Sequence, residues 1–148
     1  MSQNKLKIFI TGSNGFIGKH IKNSLVTDYK LFIPSKKKID LNRINDTKKY
    51  LKKNKPDIII HLASSTKFKS KKIEEKNNQI KNTLNITKNL INNINPECKL
   101  IIMFGSIEEY GNIKTPFKEK FKVKPFTYYG KYKFEALKYA KKILTKKK

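Results

Sequence analysis

A chain of 148 residues with 37% hydrophobic and 31% charged side chains suffices for one buried core, and its apolar residues gather in strand-length runs, which excludes a disordered polar chain. No apolar run reaches the length of a membrane span, Met1 to Lys5 leads into a strand instead of a cleavable signal, and the single Cys98 cannot close an internal disulfide, so a cytoplasmic protein is expected. The net charge of +24 attracts anions in general, but Arg43 is the only arginine among 35 basic residues and the lysines are scattered without interleaved aromatics, which argues against a specific nucleic-acid partner.

Leu6 to Thr11 reads as a first strand, which runs through Gly12-Ser13-Asn14-Gly15-Phe16-Ile17-Gly18 directly into a helix from Phe16 to about Val26. Three glycines spaced three apart between strand and helix match a phosphate-binding turn. Gly12 takes the tight turn, Gly15 lets the backbone approach a pyrophosphate, and Gly18 lets the helix lie close on the strand. The helix N–H groups and the positive end of its dipole then face the phosphates. The alternative is an ordinary strand-to-helix turn.

Lys30 to Ile33 is the second strand, stopped by Pro34. In dinucleotide sites an acid roughly 20 residues past the glycines holds the ribose 2′-hydroxyl, whereas a cation accommodates a 2′-phosphate. Between Asp28 and Asp40 this chain has no acid and offers Ser35, Lys36, Lys37 and Lys38, so NADP(H) is expected ahead of NAD(H). Asp40-Leu41 begins another short extended piece, Asn45 or Asp46 caps a helix to about Lys53, and Pro56-Asp57 closes that unit. Ile58 to Ala63 is apolar without alternation, as a central strand buried on both faces must be. His61 within it is expected to be a satisfied core histidine, and His20 has no ligand-type neighbours at metal spacing, so no metal site is expected.

Ile73 to Ile94 is the longest helix, with Ile73, Ile80, Leu84, Thr87, Ile91 and Ile94 in one stripe, and Pro96 ends it. Leu100 to Phe104 reads as a further buried strand ended by Gly105-Ser106. A proline-containing loop from about Tyr110 to Pro125 precedes a final helix from Tyr128 to about Leu144 and a frayed tail, Lys146 to Lys148. The alternation of strand and helix predicts a doubly wound α/β fold with a parallel sheet, one domain over residues 1–148.

Ligands of such sheets lie beyond the carboxyl ends of the strands. Ser64 follows one strand and Ser106 another, and the last helix carries Tyr129 and Lys133, four apart and so on one face. An ammonium beside a phenol stabilises the phenolate and lowers a pKa otherwise about 10. Tyr128 fails this test, because four residues on stands Tyr132. Tyr129 is thus the expected general base for a sugar or alcohol hydroxyl, with Ser106 hydrogen-bonding the same oxygen while hydride moves to or from a nicotinamide.

In this order, Thr11 to Gly18, Asp40-Leu41, His61-Leu62-Ala63, Ser106 ahead of Tyr110-Gly111, and Tyr129 with Lys133 resemble the extended short-chain dehydrogenase/reductases, in particular the sugar-nucleotide epimerases, dehydratases and ketoreductases. The resemblance covers nearly the whole chain. It implies a Rossmann-type fold, a nucleotide-linked sugar as substrate, and NAD(P) held by Gly12, Asn14, Gly15, Phe16, Ile17 and Gly18. It further implies that Asp40 and Leu41 touch the adenine, that Leu62, Ala63 and Ser64 line the coenzyme, and that Ser106, Tyr129 and Lys133 form the catalytic triad, Lys133 also holding the nicotinamide ribose.

Glu108 stands where dehydratases of the family place an acid two residues after the catalytic hydroxyl, although Ile107 replaces the usual Asp between them. Glu108-Glu109-Tyr110-Gly111 also looks like certain 4-keto-6-deoxy sugar reductases. Gln79 and Asn82 depart from the Asn and Gly usual on the long helix. Family members continue beyond the Tyr-Lys helix with a substrate lobe, so the resemblance implies that this chain is a fragment, or else a remnant that binds coenzyme without turnover. Pairing of family members through the long helix and the Tyr-Lys helix implies a homodimer.

Overall fold

The computed structural model describes residues 5–64, 73–112 and 116–145. Met1 to Asn4 and the expected frayed tail from Lys146 lie outside the described residues. Along the chain run β1 (Lys7–Thr11), α1 (Phe16–Leu25), β2 (Lys30–Phe32), α2 (Ile44–Asn54), β3 (Ile58–His61), α3 (Ile73–Asn92), β4 (Leu100–Met103), a short 3₁₀ helix (Ile107–Tyr110) and α4 (Tyr128–Thr145).

The four strands form one parallel sheet in the order β2-β1-β3-β4, with Phe9 opposite Phe32 and Ile59, and Ile60 opposite Ile102. Alternate residues of a strand point to opposite faces. On one face Ile8, Ile10 and Ile60 pack with Ile21 and Leu25 of α1. On the other, the Phe9 ring lies 5.3 Å from that of Tyr50 in α2. The two helices therefore cover opposite faces, and β1 and β3 are buried throughout most of their length, as the apolar run of Ile58 to Ala63 predicts for β3. This is a Rossmann-like, doubly wound α/β arrangement.

Three local expectations are corrected. Asp40-Leu41 is not extended: Asp40 Oδ1 accepts from the N–H of Asn42 at 3.0 Å, and this side-chain bond two residues on makes a turn. Neither Asn45 nor Asp46 caps α2, which starts earlier, with Arg43 in the cap position and no side-chain cap bond; Asp46 lies in the first turn, where its charge suits the helix dipole. β4 is not a buried strand: among the described residues it is the edge of the sheet, and Leu100 and Ile102 are exposed.

The described residues group into two compact units. The first comprises those up to Ala63 with Asn92–Phe104 and holds the whole sheet, α1 and α2. The second comprises Ser64–Ile91 and the residues from Gly105 onward, and holds nearly all of α3, the 3₁₀ helix and α4.

Candidate functional site

In the first unit the glycine turn is built by backbone constraints. Gly12 has φ +72°, and a Cβ there would lie 2.9 Å from the backbone nitrogen of Ala63, so conformation and space both demand glycine. The Gly15 N–H closes the turn on the Gly12 carbonyl at 3.0 Å, and a Cβ on Gly15 would crowd that same oxygen at 3.2 Å. Gly18 is buried, and a Cβ there would stand 2.7 Å from the Ser13 Cα, so α1 packs closely on the turn that precedes it.

Gly15 caps α1 with no side-chain hydrogen bond, and no acid stands in the first turn. The first N–H groups of a helix lack intrahelical partners, so this end is a donor set at the positive end of a dipole, fitted to an anion. Gly12, Asn14, Gly15 and Phe16 are exposed around it, Phe16 to 82%. Beside this donor set, Gly15 has room only for its hydrogens against the Gly12 carbonyl.

Beside the turn, the buried hydroxyl of Thr11 joins the carboxyl ends of two strands. Its oxygen lies 3.2 Å from the N–H of Leu62 and 3.1 Å from that of Ala63, and 2.7 Å from His61 Nδ1. A hydroxyl has two lone pairs and one proton. The hydroxyl thus ties the buried His61 ring and the backbone that follows it to the end of β1. Beyond β2, Ser35 accepts backbone bonds from Lys38 and Ile39 in a turn that leaves Ser35, Lys36, Lys37 and Lys38 exposed. Asp40 and Leu41 follow, half-buried.

In the second unit, Ser106 begins the 3₁₀ helix. Its Oγ accepts from the N–H of Glu108 at 3.2 Å, and the Glu109 carboxyl accepts from the Ser106 N–H at 2.8 Å. The start of α4 is fastened to this helix. Thr127 Oγ accepts from the N–H of Gly130 at 3.0 Å and donates to the Glu108 carboxylate. Gly130 is buried so closely that a Cβ would lie 2.8 Å from the Glu108 carbonyl carbon. One turn into α4, the Tyr129 hydroxyl lies 3.4 Å from Ser64 Oγ. Glu108 thus has a structural partner, and Ser64 is brought to the phenol.

Lys133 is half-buried, and burial pulls its ammonium below the usual lysine range while the charge of Glu109 pushes back. Glu109 is 7% exposed; burial raises its carboxyl above the usual range, opposed by the Ser106 N–H and by Lys133. Glu109 and Thr127 are the site residues that sequence reasoning missed. Both had a signal: Ser106 with Glu109 three residues on is the spacing of a capping box, and Thr127 stands where a helix cap is favoured. The Gln79 side chain lies outside the described residues, and Asn82 is exposed. Among the described residues no group of His, Cys, Asp and Glu could hold a metal, and no helix is long and apolar enough to cross a membrane.

Strand order, helices on both faces and a glycine turn at the head of α1 define a Rossmann-like α/β protein. The chain belongs to the NAD dependent epimerase/dehydratase family, whose model matches residues 8–147. It is 41% identical over 59 residues to the GDP-L-colitose synthase of Yersinia pseudotuberculosis, covering 39% of this chain and 19% of that protein. Among solved structures it is similar to a dTDP-4-dehydrorhamnose reductase of Clostridium acetobutylicum, with TM-score 0.76 and 24% identity over 93% of this chain and 50% of the other. It is likewise similar to the dTDP-4-dehydrorhamnose reductase of Bacillus anthracis in complex with NADP, with TM-score 0.77 and 20% identity over 94% of this chain and 50% of the other. The chain spans about half the length of these two reductases.

Proposed function

We propose that this chain is the coenzyme-binding part of a cytoplasmic reductase that uses NADP(H) to reduce a keto group on a nucleotide-linked sugar. The observation that carries the reading is the α1 head, whose glycine-lined, uncapped donors suit a dinucleotide pyrophosphate. Lys36 and its neighbours supply cations, with no acid, where a 2′-phosphate would lie. The NADP bound to the Bacillus anthracis relative supports the same preference, and the relatives named above are reductases or a sugar-nucleotide synthase.

When bound, the coenzyme supplies hydride to the carbonyl carbon. The chain's own residues handle the proton and the geometry. Ser106 Oγ, whose lone pair is occupied by the Glu108 N–H, donates its proton toward the substrate oxygen and orients it. Tyr129 gives its phenolic proton to the same oxygen as negative charge develops, and Lys133 supplies the adjacent positive charge and holds the nicotinamide ribose. Ser64, at hydrogen-bond distance from the phenol, fixes the direction of that hydroxyl. Glu108 braces α4 through Thr127 and is assigned no proton transfer. A homodimer forms through α3 and α4.

Titration with NADPH, followed by coenzyme fluorescence, should show saturable uptake that is tighter than for NADH. With a 4-keto sugar nucleotide, oxidation of NADPH should fall about 10²–10⁴-fold in Tyr129→Phe. No uptake by folded protein would overturn the proposal. Uptake with no turnover on any sugar nucleotide would favour a second reading, a coenzyme-binding domain without catalysis.

A further inference from the structure

Ser106 stands at the start of the 3₁₀ helix and Tyr129 in the first turn of α4, so the two groups that share the substrate oxygen in the mechanism above belong to different elements. A misplacement of about 1 Å between such groups can cost about 10²-fold in rate, so the contact between the elements has to fix their spacing. That contact has a side-chain part and a backbone part. Thr127, at the cap of α4, accepts from the Gly130 N–H at 3.0 Å and donates its one proton to the Glu108 carboxylate. The Glu108 N–H in turn donates to Ser106 Oγ at 3.2 Å, so a single residue links the cap of α4 to the Ser106 hydroxyl. Backbone lies against backbone at the same spot: a Cβ on the buried Gly130 would strike the Glu108 carbonyl oxygen and stand 3.1 Å from the Glu108 Cβ. The segment before α4 is tied down as well. The Lys124 N–H donates to the Glu109 carbonyl at 3.0 Å, and Gly111, at φ +73°, has no room for a Cβ beside the Lys124 carbonyl oxygen.

We propose that Glu108 and Thr127 are positioning residues of the triad: the bond between their side chains holds Ser106 and Tyr129 at their working spacing. The inference rests on the triad proposed above and adds the pair that keeps it in register. In this role Glu108 needs an acceptor oxygen and no proton to give, which separates it from a catalytic acid at the same position.

Glu108→Gln keeps an oxygen that accepts from Thr127 and removes the acid, whereas Glu108→Ala removes both. With NADPH and a 4-keto sugar nucleotide, Glu108→Ala and Thr127→Val should each lower kcat by about 10²-fold while KM for NADPH stays within about twofold. Glu108→Gln and Thr127→Ser should recover most of the loss, and the double variant Glu108→Ala/Thr127→Val should be little worse than either single one. If Glu108→Ala does not fold, Thr127→Val against Thr127→Ser carries the same comparison. Hydrogen exchange read by NMR on the chain without coenzyme tests the link apart from turnover. In Thr127→Val the Glu108 N–H, on the other element, should exchange faster, and in Thr127→Ser it should return to its original rate. A Glu108→Gln chain as slow as Glu108→Ala, losses that add in the double variant, or a Glu108 amide indifferent to Thr127→Val overturns this proposal alone. A chain without NADPH uptake or without turnover overturns the reading beneath it, and the Glu108 amide then decides the link.

Discussion

Gly18 in α1 lies against the backbone of the Gly12 turn with no room for a side chain: a Cβ there would meet the Gly12 carbonyl oxygen and stand 2.7 Å from the Ser13 Cα. Backbone on both sides leaves nothing flexible to yield. Gly18→Ala should destabilise the chain by about 1–3 kcal/mol, the usual cost of overpacking, and weaken NADPH uptake by pushing the head of α1 off the turn. Urea denaturation and coenzyme titration of the same variant measure the two effects.

Thr127 is a helix cap with a second duty. It accepts from Gly130 and donates to Glu108, so Thr127→Ala removes the cap and leaves a half-buried carboxylate without that donor. A loss of about 1 kcal/mol is expected, and Thr127→Ser should restore most of it because the hydroxyl is retained. Thermal melts of the two variants test this.

The buried acid and base give opposite pH slopes. Glu109 titrates above its ordinary 4.5 in the folded chain, so its share of stability is present below that value and is lost as pH rises through the raised one. Lys133 titrates below its ordinary 10.5, so the unfolded chain binds more protons in that interval and stability rises with pH across it. Denaturation series at acid and alkaline pH should show the first slope flattened in Glu109→Gln and the second in Lys133→Met.

Coenzyme choice should follow charge beyond β2. Lys36→Asp should lower affinity for NADPH relative to NADH by about 10- to 100-fold, the range of one charge-assisted bond to phosphate. Paired titrations with the two coenzymes would reveal it, and an unchanged ratio would place the 2′-phosphate elsewhere.

The sheet and its helices were legible because β1 and β3 are unbroken apolar runs and because α1 opens directly on glycines at fixed spacing. Where the reading failed, short polar side chains had redirected the backbone. Asp40 binds the N–H of Asn42 and turns a segment that periodicity alone would extend. β4 reads as buried from composition, yet its exposure depends on having a neighbour on one side only, which sequence does not encode locally. At the site, attention fell on Glu108 because it lies two residues after Ser106. Its neighbour Glu109 is the buried one, and the serine-to-glutamate spacing of a reciprocal cap was the clue to it.

The Thr11 hydroxyl gathers Leu62, Ala63 and His61 onto the end of β1. The Leu62 N–H is shared between that hydroxyl and the Thr11 carbonyl, whereas the Ala63 N–H has the hydroxyl. In Thr11→Val, which keeps the shape and deletes the shared atom, the Ala63 amide should exchange its hydrogen for deuterium faster, and the Leu62 amide should quicken less.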